Sequence, residues 1–247
     1  MSKPTIILCP GAWYPPTAFD PLISRLPDYT THTIAFPSIQ QSTVVKDLQP
    51  DISALRTVVQ RECDQGREVV VISHSWSGLP VSSALHGLSR TQRQNNGQEG
   101  GVVKLVFLSA FIPDVGQSLL QAFGGQAPEW YIRDEANGTV TAHDPYTLFF
   151  HDVPDGQQWA ETLRPHAWAT KNSPATSASY LEIPCSYLLC EDDRAIPLFV
   201  QELMVEKARS QGAVINTEKV KTGHTPWLVV PDEVAAFVRR QIEQKVV

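Results

Sequence analysis

Six short apolar runs alternate with stretches in which apolar residues recur at helical spacing. The runs predict strands over 5–9, 31–36, 68–73, 102–109, 185–190 and 213–220. The stretches between them predict amphipathic helices near 17–27, 43–64, 76–89, 197–211 and 231–245. Several runs are almost continuously apolar, which is typical of strands covered on both faces. The repeated strand–helix–strand order therefore predicts an α/β fold with right-handed crossovers and a mainly parallel sheet between helices.

Two intervals interrupt this alternation. Residues 112–183 contain no convincing apolar strand but many aromatic side chains, namely Phe123, Trp130, Tyr131, Tyr146, Phe149, Phe150, Trp159, Trp168 and Tyr180. A structureless loop of that length is uncommon in a compact domain. We therefore predict that 112–183 form an inserted cap of helices and loops, and that 1–111 and 184–247 form the core. The alternative is that most of these aromatic residues only fill the cap's own core. The polar stretch at 89–101 predicts a mobile surface connection.

Composition and charge restrict the classes of function. The chain has 247 residues, which suits one large α/β domain, and a formal net charge of −6 with its lysines and arginines thinly spread. Without a basic patch, we expect no binding to nucleic acid or to anionic membranes. No apolar run approaches the roughly 20 residues of a membrane helix. The expected partner is a small-molecule substrate. The sequence is also compatible with a homodimer.

The N-terminus and the cysteines indicate the compartment. The opening MSKPTIILCPGAW lacks the basic region, the long apolar region and the cleavage site of a signal peptide. The four cysteines have neither CxxC spacing nor neighbouring histidines, and they are Cys9, Cys63, Cys185 and Cys190. This usage is typical of reduced, buried thiols. We therefore expect a cytoplasmic protein without a metal site.

The stretch VVISHSWSG at 70–78 carries the first candidate for catalysis. Ser75 follows a predicted strand directly and precedes a predicted helix. Its neighbours at −2 and +2, Ser73 and Ser77, are small, as the strained turn of a nucleophile elbow requires. Glycine is more usual at both positions. The alternative is that these serines only cap the helix.

A nucleophile elbow also needs backbone donors for a developing oxyanion. The N–H of Trp76, at the start of the predicted helix, is one candidate. The second is the N–H of Ala12 in LCPGAWY, where Gly11 allows a sharp turn after the first strand. The alternative for this loop is a plain strand-to-helix turn.

A serine nucleophile needs a base that is oriented by a carboxylate. Among the seven histidines, His224 lies between the last predicted strand and the last predicted helix. The acid is expected after the preceding strand, in CEDDRAIP, where Asp193 is the first choice and Asp192 the alternative. Asp114, after the fourth strand, is a further possible position for the acid. The order Ser75, Asp193, His224, each just past the carboxyl end of a strand, predicts a Ser-His-Asp triad.

The segments PGAW, SHSWSG, LSAFIPD, CEDDRAIP and TGHTPWL make the chain resemble the α/β-hydrolase superfamily. More narrowly, they resemble its branch of small serine esterases that contains plant methylesterases and hydroxynitrile lyases, together with fungal and bacterial relatives. The resemblance implies six core strands in the order 2-1-3-4-5-6, a cap between strands four and five, no cofactor, and oxyanion donors at Ala12 and Trp76. Pro10 replaces a frequent histidine before the glycine. Thr225 stands where hydroxynitrile lyases of this type carry a lysine, which disfavours cyanohydrin cleavage.

These features predict a hydrolase that cleaves a carboxylic ester or lactone through an acyl-enzyme. The candidate residues for an apolar substrate pocket are Trp13, Trp130, Tyr131, Phe149, Phe150 and Trp168. The first alternative is a lyase or cyclase that uses Ser75 and His224 as an acid/base pair, because one fold hosts several chemistries. The second is a binding protein without turnover.

Overall fold

The computed structural model describes residues 3–40 and 45–243. Its strands are β1 (Thr5–Cys9), β2 (Thr31–Thr33), β3 (Glu68–Ser75), β4 (Gly101–Ala110), β5 (Tyr131–Asp134), β6 (Thr139–Ala142), β7 (His166–Ala167), β8 (Cys185–Cys190) and β9 (Ile215–Val220). Six of them form one sheet in the order β2-β1-β3-β4-β8-β9, and every neighbouring pair is parallel. Counted within this sheet, the order is 2-1-3-4-5-6. The predicted α/β-hydrolase topology is confirmed.

Burial explains which runs form the centre of the sheet. All residues of β1 and β8 are buried, as are all residues of β3 after Glu68. Their continuous apolar sequences suit strands that have helices on both faces. At one edge, β9 buries only its first and last residues. The four cysteines are buried and form no disulfide.

The helices follow the predicted pattern in part. They are α1 (Asp20–Ile23), α2 (Pro37–Gln40), α3 (Gln49–Asp64), α4 (Gly78–Ala84), α5 (Arg90–Asn95), α6 (Leu119–Ala122), α7 (Pro145–Phe149), α8 (Gly156–Glu161), α9 (Ala169–Asn172), α10 (Leu198–Ser210), α11 (Pro226–Val229) and α12 (Pro231–Glu243). Short 3₁₀ turns cover Pro16–Phe19 and Ser179–Leu181. The predicted helices 43–64 and 231–245 each include two positions outside the described residues. Within the described ranges, no helix has both the length and the apolar character needed to cross a bilayer.

The polar stretch 89–101 is more ordered than its composition suggests. It contains α5, whose N-cap Ser89 accepts a hydrogen bond from the N–H of Gln92. Arg93 is only 3% exposed; it donates to the carbonyl of Glu99 and forms an ion pair with Asp64 at 2.9 Å. The prediction of a mobile surface connection did not include this helix, in which a capped turn and a paired arginine compensate for the missing apolar residues.

Residues 112–183, called the inserted segment below, contain more than the helices and loops that we predicted. Besides α6 to α9, the segment forms a small antiparallel sheet in the order β5-β6-β7. Hydrogen bonds attach it to the loops that follow β1 and β9. Trp13 Nε1 donates to the carbonyl of Val140 at 2.8 Å, and Thr225 Oγ1 donates to the carbonyl of Phe149 at 3.0 Å. The segment therefore lies over the carboxyl ends of the core strands.

Candidate active site

Ser75 occupies a strained turn at the carboxyl end of β3. Its φ is 54°, in the left-handed region that a residue other than glycine rarely adopts. Such a conformation costs about 1–3 kcal/mol and persists only where the surroundings enforce it. Here the N–H of Phe111 donates to the carbonyl of Ser75 at 3.0 Å, and the β3–β4 register shifts between His74 and Ser75. The turn has the backbone geometry of a nucleophile elbow.

The small neighbours of Ser75 contact one another beneath the turn. The hydroxyl oxygens of Ser73 and Ser77 are 3.0 Å apart, and Ser77 Oγ also accepts the N–H of His74 at 3.0 Å and lies 2.9 Å from the carbonyl of Cys9. Serine at −2 and +2 thus fits the crowded position and adds hydrogen bonds that glycine lacks. At Gly78 there is no such room, because an added Cβ would lie 1.8 Å from the carbonyl oxygen of Phe111.

The loop after β1 approaches Ser75 closely. A Cβ on Gly11 would lie 2.9 Å from Ser75 Cβ, so only glycine allows this approach. Within the described ranges, the N–H groups of Ala12 and Trp76 donate to no protein acceptor, although both residues are buried. Buried N–H groups normally have a partner. Two free donors beside Ser75 are what an oxyanion site requires.

Asp193 and His224 are in direct contact. His224 Nδ1 lies 2.8 Å from Asp193 Oδ2, and both side chains are buried. The N–H groups of Ala195 and Ile196 donate to Asp193 Oδ1 at 2.7 and 2.9 Å. Ser109 Oγ donates to Oδ2 from the end of β4. With its oxygens fixed by these donors, Asp193 orients the imidazole so that Nδ1 carries its hydrogen and Nε2 is left to accept a proton.

The structure also separates the alternative acids. Asp192 is exposed, and Asp114 forms an ion pair with Lys207 and accepts a hydrogen bond from Gln211 at 2.9 Å. The Lys207 ammonium lowers the pKa of Asp114. Of the three candidate acids, the one in contact with His224 is Asp193.

His74 packs directly against His224. Its ring centroid lies 4.6 Å from that of His224 and 4.5 Å from that of Trp227, and its Nε2 lies 3.0 Å from the carbonyl oxygen of His224. Because a carbonyl only accepts, we assign the hydrogen of the neutral ring to Nε2. Burial, assisted by the neighbouring His224, lowers the pKa of His74 well below its usual range. His74 therefore supports the His224 loop as a neutral donor.

A His74→Gln variant should be less sensitive to acid than the wild type. The folded-state pKa of His74 lies below the unfolded value, so its contribution to stability is complete above about pH 6.5 and is lost as the pH falls. Urea unfolding at pH 7.5 and pH 5 should show that the wild type loses up to about 2 kcal/mol more unfolding free energy than the variant. The exposed His143→Gln is the control. Equal losses in the wild type and His74→Gln would contradict the assignment of a neutral ring.

A small aromatic cavity of about 20 Å³ opens beside Ser75. Of the predicted pocket residues, Trp13, Trp130, Tyr131 and Phe149 line it, together with Ala12 and Trp76. Trp13 is at its centre, stacked on Phe149 at 5.6 Å and edge-on to Tyr131 at 5.7 Å. The structure thus brings the inserted segment, the loop after β1 and Ser75 together around one cavity.

Two of the predicted pocket residues do not line this cavity. Phe150 is fully buried and packs against Tyr14, with the ring centroids 5.7 Å apart. Trp168 lies beside Tyr131 and carries the Arg133 guanidinium 4.2 Å from its ring centroid. Neither is among the lining residues, although Trp168 contacts the lining residue Tyr131.

Several lining residues were missed by sequence reasoning, namely Phe111, Leu119, Phe123, Ala195 and Ile196. Their positions give a partial signal, since Phe111 follows β4 and Ala195 and Ile196 follow Asp193. Ser109, which contacts Asp193, was also missed, although it lies near the carboxyl end of β4. In the part of the chain that the structure describes, no group of His, Cys, Asp and Glu side chains is arranged to hold a metal ion.

Comparison with known proteins identifies the class that this fold and site define. The alpha/beta hydrolase family model matches residues 6–237, so the chain belongs to the α/β-hydrolase family. The alpha/beta hydrolase nvfD of Aspergillus novofumigatus is 32% identical over 246 residues, covering 97% of this chain and 96% of that protein. The pyrethroid hydrolase PytH has a TM-score of 0.76 at 18% identity, with 96% of each chain covered. Polyneuridine aldehyde esterase has a TM-score of 0.74 at 16% identity, covering 97% and 99%.

Proposed function

We propose that the protein is a serine hydrolase that cleaves a carboxylic ester or lactone of a medium-sized, largely apolar small molecule. The observation that carries the proposal is the 2.8 Å contact between His224 Nδ1 and Asp193 Oδ2 near the strained Ser75. Similarity to an alpha/beta hydrolase and to structures named hydrolase and esterase supports the same reaction class.

In the first half-reaction, His224 Nε2 takes the hydroxyl proton while Ser75 Oγ attacks the carbonyl carbon. The carbonyl π bond breaks, and its electron pair becomes the oxyanion that the N–H groups of Ala12 and Trp76 stabilise. Asp193 holds the tautomer of His224 and balances the charge of the imidazolium. His224 then gives its proton to the leaving alkoxide, and the acyl group stays on Ser75.

In the second half-reaction, water replaces the serine hydroxyl as the nucleophile. His224 takes a proton from the water, the oxyanion forms again in the same place, and the Ser75–acyl bond breaks as the proton returns to Ser75. The products are the carboxylic acid and the alcohol; from a lactone, they are one hydroxy acid. The same groups act in both halves, so no cofactor is needed.

The cavity restricts the substrate. None of its lining residues carries a formal charge, so it offers no partner for a charged group, whose burial would be costly. The cavity holds only about 20 Å³, far less than the roughly 300–1,000 Å³ of ligand sites, so a medium-sized ester requires the lining side chains to move apart. A neutral ester with an apolar or aromatic acyl group suits this wall. In this proposal the inserted segment acts as a cap that excludes water.

Thr225, the residue after His224, has a structural role in this site. Thr225 Oγ1 donates to the carbonyl of Phe149 in the inserted segment. The side chain is thereby committed to holding the histidine loop against the cap, and it carries no charge that would stabilise a cyanide leaving group.

A substrate panel with covalent trapping tests the reaction class. The full chain is incubated with p-nitrophenyl esters, aryl methyl esters, lactones and carbon–carbon lyase substrates, and a fluorophosphonate adduct is located by mass spectrometry. We expect ester or lactone turnover, a burst of p-nitrophenol and an adduct on Ser75. Cleavage or closure of carbon–carbon bonds without a burst would favour a lyase or cyclase. Absence of both turnover and adduct would favour a binding protein.

A further inference from the structure

A second group of titratable side chains lies between the core and the inserted segment, apart from the triad. Lys171 and His166 come from α9 and β7 of the inserted segment, and Ser38 and Asp51 come from α2 and α3 of the core. All four residues have no exposed surface. The reaction proposed above uses none of them.

The four residues form a continuous chain of contacts, which runs through both the side chain and the backbone N–H of Ser38. Lys171 Nζ lies 2.7 Å from His166 Nδ1, His166 Nε2 lies 2.9 Å from Ser38 Oγ, and the N–H of Ser38 donates to Asp51 Oδ1 at 3.0 Å. Because an amine donates here, Nδ1 of the neutral imidazole accepts and Nε2 carries the hydrogen. Burial lowers the pKa of Lys171 and of His166, and burial raises the pKa of Asp51 to about 6. Whether Lys171 is charged or neutral, its Nζ carries a hydrogen that it can donate to His166.

The amine is surrounded by the rings that form the pocket wall. Lys171 Nζ lies 4.7 Å from the ring centroid of Trp13, 5.5 Å from that of Trp76 and 5.8 Å from that of Tyr131. The ring of His166 is edge-on to that of Trp76 at 4.4 Å. Trp76 carries one candidate oxyanion donor, and Trp13 follows Ala12, which carries the other. The cluster therefore contacts the side chains that fix both donor peptides.

A lysine would be an unfavourable residue at this buried position if its only role were to fill space. Burying an amine costs free energy unless it is paired and hydrogen-bonded, and methionine would fill similar space. What the amine adds is a directed hydrogen bond and, in its protonated form, attraction to three aromatic rings within about 6 Å. Trp13 has a φ of 72°, so its backbone is also held in an unfavourable conformation.

We infer that Lys171, through His166, is a positioning residue for the oxyanion site, and that this site is complete only when the inserted segment is seated on the core. The inference rests on the proposed hydrolysis of esters. It assigns to the segment a role beyond covering the substrate, because the segment supplies the amine that holds Trp13 and Trp76. Binding of the substrate in its ground state should depend little on the positions of the two donor N–H groups. Stabilisation of the tetrahedral oxyanion should depend on them strongly.

Lys171→Met in the full chain tests the inference, with a p-nitrophenyl ester as substrate and phenylboronic acid as a tetrahedral analogue. We expect kcat to fall roughly tenfold or more and the inhibition constant of the boronic acid to rise by a similar factor, while KM changes less than threefold. Lys104→Met is the matched control, because Lys104 is a buried lysine on β4 that faces Cys185 rather than the site. Its kcat should stay within about twofold, whatever its Tm.

The double variant Lys171→Met/Asp51→Asn removes both ends of the chain and leaves no unpaired buried charge. It should fold and still show the reduced kcat. Wild-type kcat and boronic acid affinity in the folded double variant would overturn the inference, as would a change confined to KM or failure of both variants to fold. A wild-type chain without ester turnover or a fluorophosphonate adduct would instead reject the proposed function.

Discussion

Replacing Ser75 with alanine should lower kcat for the best ester of the panel by a factor of roughly 10³ to 10⁶, because the attacking oxygen is lost while the oxyanion donors and the pocket remain. KM should change little. The fold should persist, since Ser75 Oγ forms no hydrogen bond to protein within the described residues. Alanine keeps the same strained backbone. Steady-state kinetics and the missing fluorophosphonate adduct measure the effect.

Two further variants separate loss of the nucleophile from general damage. Ser82→Ala, on α4, removes a buried hydroxyl that has no partner among the described residues, and its activity should stay within about twofold of the wild type. His224→Ala combined with Ser75→Ala should lose about as much as either change alone, because the two side chains act as one unit. Near-normal turnover by Ser75→Ala would remove the nucleophile assignment and the acyl-enzyme together.

The sheet was predictable because its central strands are buried on both faces. The apolar runs at 5–9 and 185–190 coincide with β1 and β8. The run at 31–36 is shorter in the structure, where only Thr31–Thr33 form an edge strand, although Ile34 and Phe36 are buried. At the edge of a sheet, apolar residues are buried by neighbouring loops and helices as well as by strands. The apolar run there is therefore longer than the strand that it contains.

The inserted segment was predictable as an interruption but not in its detail. Its strands have two to four residues, and β5 is mostly exposed. Short polar strands are stabilised by their pairing, for example of Tyr131 with Ala142, rather than by hydrophobic alternation. The pattern of a single sequence does not show which residues pair across two strands.

The candidate triad was predictable for a related reason. Parallel strands bring their carboxyl ends to one edge, so residues distant in sequence can be expected to meet there. The cluster of Lys171 and His166 had no such signal, since both lie in the segment without regular periodicity and their core partners come from helices. Phe150 and Trp168 show the same limit, because aromatic character does not tell which face of a short element a side chain occupies.

The second large effect on kcat is expected at Asp193, the acid that contacts His224. Asp193→Asn should lower kcat by roughly 10⁴, because an amide at this position favours the tautomer of His224 in which Nδ1 accepts and Nε2 carries the hydrogen. In that tautomer Nε2 has no lone pair for the Ser75 proton, and the imidazolium loses the charge that balances it. Steady-state kinetics with an activated ester should show the lowered kcat at a KM close to that of the wild type.

Asp192→Asn is the matched control, since it makes the same chemical change one residue away on an exposed side chain. Its kcat should stay within about twofold of the wild type. The amide in Asp193→Asn can still accept from the N–H groups of Ala195 and Ile196, which limits the loss of stability and keeps the comparison kinetic. A large loss in Asp192→Asn with little change in Asp193→Asn would exchange the roles of the two residues. It would mean that the loop after β8 turns by one residue during turnover, so that the carboxylate in contact with His224 at rest is not the one that works with it.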